Sequence, residues 1–131
     1  MPGKAHERLE SITHKGYRIV VEDYRGMRDE ALIDQLQQNR ADIVDIWKRE
    51  GSHPLLIMAD ITGAILSPTV IKEIKSHAQK LSPYAKATAV VGIVGILKVL
   101  FDAVKKFSAS NLVAFEGRER AKDWLVEQAS K

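Results

Sequence analysis

The chain has 131 residues, one domain's worth, with 45 % hydrophobic and 28 % charged residues, ordinary values for a folded globular unit. It has no cysteine, which excludes disulfides, thiolate metal sites and cysteine nucleophiles together and suits a cytosolic location. The formal charge of +3 comes from 20 Lys+Arg against 17 Asp+Glu, and aromatics make up 6 %. The signs are interleaved, as in Lys48-Arg49-Glu50 and Arg118-Glu119-Arg120. With no clustered basic face and few rings to stack on bases, no nucleic-acid partner is expected. The N-terminus lacks the apolar core of a signal peptide. The longest apolar stretch, 87–100, contains Lys98 and is shorter than the ~20 residues a membrane helix needs. A cytoplasmic protein without an integral membrane segment is expected.

Residues 1–7 read as a flexible tail, and 8–131 as one domain. Leu9 to His14 alternates loosely, Lys15-Gly16 signals a turn, and Tyr17 to Tyr24 alternates more clearly. The pair predicts a β-hairpin with Tyr17, Ile19 and Val21 on one face and Arg18 and Glu22 on the other. Arg28 to Glu50 places Leu32, Leu36, Ile43 and Trp47 along one helical stripe. Asp29 and Glu30 open that helix and Lys48 and Arg49 close it, in accord with its dipole, and Gly51 suits the position just past its end.

Leu55-Leu56-Ile57-Met58-Ala59-Asp60 is an unbroken apolar run closed by a carboxylate. A run so short, without alternation, predicts a strand covered on both faces at the centre of a sheet. Ser67-Pro68 is a helix start, with Ser as the N-cap and Pro in the first turn. Val70, Ile71, Ile74, Ala78 and Leu81 form the stripe, and Ser82-Pro83 stops the helix. Residues 86–91 predict a second buried strand. Gly92-Ile93-Val94-Gly95 then turns the chain into a helix carrying Ile96, Val99, Leu100, Ala103, Val104 and Phe107 on one side. Leu112 to Phe115 is a short strand, and Gly117 leads into a last helix packing through Ala121, Trp124, Leu125 and Ala129. The predicted order is ββαβαβαβα, an α/β domain with a single mixed five-stranded sheet covered by four helices.

The residues 55–63, Tyr84 with 89–98, and Phe115 with 121–125 resemble the SpoIIAA-like branch of the STAS superfamily (sulfate transporter and anti-sigma-factor antagonist), whose fold is in turn similar to the lipid-binding CRAL-TRIO domains. The similarity runs from the hairpin to Trp124. It implies a SpoIIAA/STAS-like fold and no catalytic signature. Anti-sigma-factor antagonists are switched by phosphorylation of a Ser at the start of the helix after the central strand, usually preceded by Asp. Ser67 and Thr69 stand in that neighbourhood, but the Asp is missing and Pro68 separates the two hydroxyls.

The candidate sites each have a plain structural alternative. Ser67 and Thr69 suit phosphorylation at a helix N-terminus, yet Ser-Pro capping explains them. Asp60 and Asp23 end strands at the carboxyl edge of the sheet, where α/β ligands bind, yet an Asx-turn explains each and no third metal ligand is evident. Gly92 and Gly95, with Lys98 a turn later, offer amides to an anion, but match neither a Walker A loop nor a dinucleotide fingerprint. Two glycines at such a turn serve close packing. His77 lies beside the apolar stripe of its helix and reads as half-buried and structural. His6, His14 and His53 show no ligand spacing.

The expectation is a non-enzymatic regulatory or ligand-binding domain, without cofactor or metal. It would act through a protein partner or through a small apolar or anionic ligand held at the carboxyl edge by Asp60, Thr62, Ser67, Thr69, Gly92 and Gly95. The alternative is a CRAL-TRIO-like acyl-chain carrier with a cavity lined by Ile65, Leu66, Ile96, Val99 and Leu100. A third reading is a metal-dependent hydrolase using Asp60 and Asp23. Homodimerisation through a helix face or the hairpin edge fits an uncovered edge strand.

Overall fold

The computed structural model describes residues 8–93 and 111–131. Within them lie five strands: β1 (Leu9–His14), β2 (Tyr17–Asp23), β3 (Leu55–Asp60), β4 (Ala85–Val91) and β5 (Leu112–Phe115). Three helices are described: α1 (Asp29–Arg49), α2 (Pro68–Leu81) and α3 (Arg118–Ala129). The expected helix through Ile96 and Phe107 lies outside the described residues, as do Gly95 and Lys98.

The sheet order follows the chain, β1-β2-β3-β4-β5. Only β1–β2 is antiparallel; β2–β3, β3–β4 and β4–β5 are parallel. The hairpin thus supplies the antiparallel member and β3 is the middle strand, as its apolar run predicted. Parallel neighbours require crossovers, and the crossovers put helices on the faces.

Strand parity sorts the core into two layers. Ile19, Val21, Leu56, Met58, Ala87, Ala89 and Val91 point to one face, where Ala121 and Leu125 of α3 cover them. The opposite face carries two clusters. One joins Val20, Leu55 and Ile57 to Ile43 of α1 and Leu81 of α2. The other brings Tyr24, Ile61, Ile93 and Leu112 together with Leu32, Leu36 and Val70. The facing expected of β2 holds, with Ile19 and Val21 toward α3 and Glu22 on the opposite side, but that opposite side is buried as well. Val20 and Glu22 share the face under α1 and α2, and Glu22 is only 1 % exposed.

The helix ends follow the sequence signals. Gly51 has φ +81, the left-handed conformation expected just past a helix end. Glu50 N and Ser52 N donate to the carbonyls of Ile46 and Trp47. At the start of α2, Ser67 Oγ accepts from Val70 N at 3.2 Å, with Pro68 in the first turn.

Candidate functional site

Two polar clusters stand at the carboxyl end of the sheet, one on each face. On the α3 face, Asp23 and Asp60 are register partners on adjacent parallel strands and so stand side by side. Asp60 Oδ1 accepts from Thr62 N at 3.0 Å and from Thr62 Oγ1 at 2.6 Å. This is the Asx-turn expected of an Asp at a strand end. Its Oδ2 accepts from Arg118 Nε at 2.8 Å. Asp23 is held by Arg25, through N, Nε and Nη2 at 3.0 Å each, and by Arg8 Nη1 at 3.5 Å.

Burial pushes both carboxyls up. Hydrogen bonds and charge from Thr62 and Arg118 outweigh it at Asp60, and those of Arg25 and Arg8 outweigh it at Asp23, so both end below the usual carboxylate value. Each acid is thus committed to protein donors. Arg118 also approaches Glu10 at 3.7 Å, and its Nη2 is buried without a hydrogen-bond partner among the described residues.

The other nominated residues surround this cluster loosely. Gly92, at φ +97, packs against Thr62, and its amide donates to Phe115 O at 2.9 Å. Ser67 is engaged as the α2 cap, and Thr69 is exposed in the first turn of that helix. The structure brings Asp60, Thr62 and Gly92 together, while the Ser67 side chain is spent on its own helix.

The second cluster lies on the opposite face and was not nominated. Glu22 of β2 accepts at Oε1 from His77 Nε2 of α2 at 2.8 Å, and the Tyr24 hydroxyl donates to the same oxygen. His77 Nδ1 faces Arg40 Nη1 of α1 at 3.2 Å, and the Tyr24 ring meets the His77 ring edge-on at 6.4 Å. Nearby, Gln35 Nε2 donates to Asn39 Oδ1 at 2.8 Å, and Asn39 is fully buried. Burial, then the charge of Glu22, holds the Tyr24 hydroxyl well above the ordinary tyrosine value, so it stays protonated. His77 is 6 % exposed, which corrects the expectation of a half-buried side chain.

Glu22, Tyr24 and His77 form one end of a cavity of about 80 Å³ between the sheet and helices α1 and α2. The rest of its described wall is apolar apart from Thr88, and includes Leu36, Ala59, Ile61, Leu66, Ile74, Ala78, Val90 and Ile93. The register explains the space. Glu22, Ala59, Val90 and Ala114 form one row across four strands, and the row is short of bulk beneath the helices. Of the cavity residues expected from the sequence, Leu66 is on the wall; Ile65 is 47 % exposed and off it, and Ile96, Val99 and Leu100 lie outside the described residues.

The nominated edge residues and this cavity share the same loops. Ala59 and Ile61 flank Asp60 in sequence, and Ile93 follows Gly92, so side-chain alternation sends the wall residues one way and Asp60 the other. One signal for the missed cluster was in the sequence. The α1 stripe skips from Leu36 to Ile43, and the intervening turn holds Asn39 and Arg40, which reach the Glu22–His77–Tyr24 group.

No protein-family model matches the sequence, and no curated protein matches it. Among solved structures, the chain is similar to an uncharacterized protein of the DUF3478 family with a SpoIIAA-like fold from Shewanella loihica PV-4. The two share 15 % identity over 89 % of this chain and 91 % of that one, with a TM-score of 0.59. Together with the mixed five-stranded sheet, this shows that the chain has a SpoIIAA-like α/β fold.

Proposed function

We propose that this SpoIIAA-like domain is a non-enzymatic binding module that takes a small amphipathic ligand into the cavity between the sheet and α1/α2. The observation that carries the reading is the cavity's asymmetry. Its described wall is apolar except for Thr88 and the buried Glu22–Tyr24–His77 group at one end, the pattern of a site that buries a hydrophobic body and orients it by a polar tip. The volume of about 80 Å³ is roughly half that of an engineered cavity which takes up benzene, so it favours a short or branched group over a long acyl chain.

The test uses methyl-labelled protein and a probe with no head group. Titration with xenon, smaller than benzene and apolar, is expected to shift the methyl resonances of Ile61, Ile74 and Val90, and Ala78→Phe, which fills the space, is expected to abolish the shifts. Undisturbed wall methyls under several atmospheres of xenon would overturn the reading.

A second reading is favoured by Arg118. Its buried Nη2 has no acceptor among the described residues and stands beside Asp60, at the carboxyl edge that Thr62 and Gly92 share. An anionic ligand at that edge would complete it. Calorimetric titration with inorganic phosphate, weakened in Arg118→Met, is the expected result; equal heats in both proteins would remove this reading.

A further inference from the structure

The cavity's polar end has a definite hydrogen-bonding sense. Arg40 carries only N–H donors, so the His77 Nδ1 it faces at 3.2 Å is an acceptor. The imidazole proton then sits on Nε2 and is donated to Glu22 Oε1 at 2.8 Å, an assignment fixed by the network. The Tyr24 hydroxyl donates to the same oxygen. Both donors that border the cavity here are therefore spent on one carboxylate. A carboxylate offers about four acceptor positions, and the described residues fill two of them, so the unspent capacity among the described groups here is acceptor capacity.

Charge points the same way. Glu22 lines the cavity, whereas Arg40, the positive group behind the His77 ring, is not on its wall. Thr88 adds a neutral hydroxyl from β4. A ligand inside thus meets a negative oxygen with no free cationic donor on the described wall. In surroundings this apolar, a second carboxylate would face like-charge repulsion as well as its own desolvation.

We infer that the ligand presents a hydrogen-bond donor to Glu22: the cavity takes a small alcohol or amine on a branched or short alkyl body and rejects the matching carboxylate. This rests on the cavity-binding reading above and adds the head-group class to it. Glu22 is then a specificity-determining residue, with Tyr24 and His77 as positioning residues that hold its carboxylate.

The experiment compares three probes of similar shape on the wild-type protein: propan-1-ol, propan-1-amine and propanoate, each titrated against methyl-labelled protein at neutral pH. The alcohol and the amine are expected to shift the Ile61, Ile74 and Val90 methyls, and the carboxylate to bind at least tenfold more weakly. In Glu22→Gln, which keeps an acceptor oxygen but removes the charge, the gap between amine and carboxylate is expected to narrow. A carboxylate that binds wild type as well as the alcohol overturns the donor inference and leaves cavity binding intact. Failure of all three probes, with xenon also failing, overturns both. The wild-type comparison decides the matter even if Glu22→Gln does not fold.

Discussion

Gly92 sits so close to Thr62 that a Cβ built on it would lie 2.6 Å from the threonine Oγ1 and 2.7 Å from its backbone nitrogen. Its φ of +97 is also a conformation that residues with a side chain rarely adopt. Gly92→Ala is therefore expected to lower unfolding free energy by more than about 2 kcal/mol, from backbone strain and displaced packing together. Trimming Thr62 to Ala removes the hydroxyl but is not expected to rescue it, because the backbone nitrogen at 2.7 Å and Cα at 2.8 Å remain in the way. Urea unfolding of the two single variants and the double variant checks both statements.

The Asp60 carboxyl is held below the ordinary carboxylate value in the folded protein, since hydrogen bonds from Thr62 and Arg118 and the Arg118 charge outweigh burial. A depressed folded value means that the unfolded chain binds the proton more readily. The stabilisation is thus present above about pH 4 and is lost as pH falls through the folded value. Arg118→Met is expected to cost about 1.5–3 kcal/mol at pH 7, the worth of a hydrogen bond to a charged group. The gap to wild type is expected to close below about pH 4. Stability measured from pH 7 to 2 in both proteins tests this, and a gap independent of pH would count against it.

Tyr24 behaves in the opposite sense. Burial and then the Glu22 charge raise its folded value, so the unfolded chain loses this proton first. Its contribution is complete below about pH 10, the unfolded value, and fades as pH rises through the folded one. Absorbance titration of the three tyrosines is expected to show one that ionises only as the protein unfolds, and Tyr24→Phe is expected to remove that late step.

Ser67 and Thr69 separate a cap from a surface hydroxyl. Ser67→Ala removes the acceptor of the Val70 amide and is expected to cost about 1 kcal/mol. Thr69→Ala, at an exposed position, is expected to stay within about 0.5 kcal/mol of wild type. Thermal unfolding of both variants reads the difference.

Local rules made most of the scaffold legible. The Ser67-Pro68 start and the Gly51 stop stand where their chemistry placed them, because caps and left-handed glycines act within a few residues. The run 55–60 announced a strand buried on both faces, since no alternation is needed where helices cover both sides. The hairpin was legible in its bounds but not in its environment. Alternation in β2 put Glu22 on the face opposite Ile19 and Val21, where it stands, but gave no sign that this face is buried too and brings the carboxylate to Tyr24 and His77.

The sequence by itself determined the segments, their ends and the apolar surfaces they had to hide, because propensity, capping and periodicity operate over one or two turns of chain. Only the tertiary structure decided which polar groups would meet. Glu22 and His77 are 55 residues apart, and their contact depends on strand register and on the rotation of α2 against the sheet, neither of which local pattern specifies. The same parity turned Asp60 toward Arg118 and left Ala59 and Ile61 to shape the cavity, so the binding face was set by a difference of one residue in the strand.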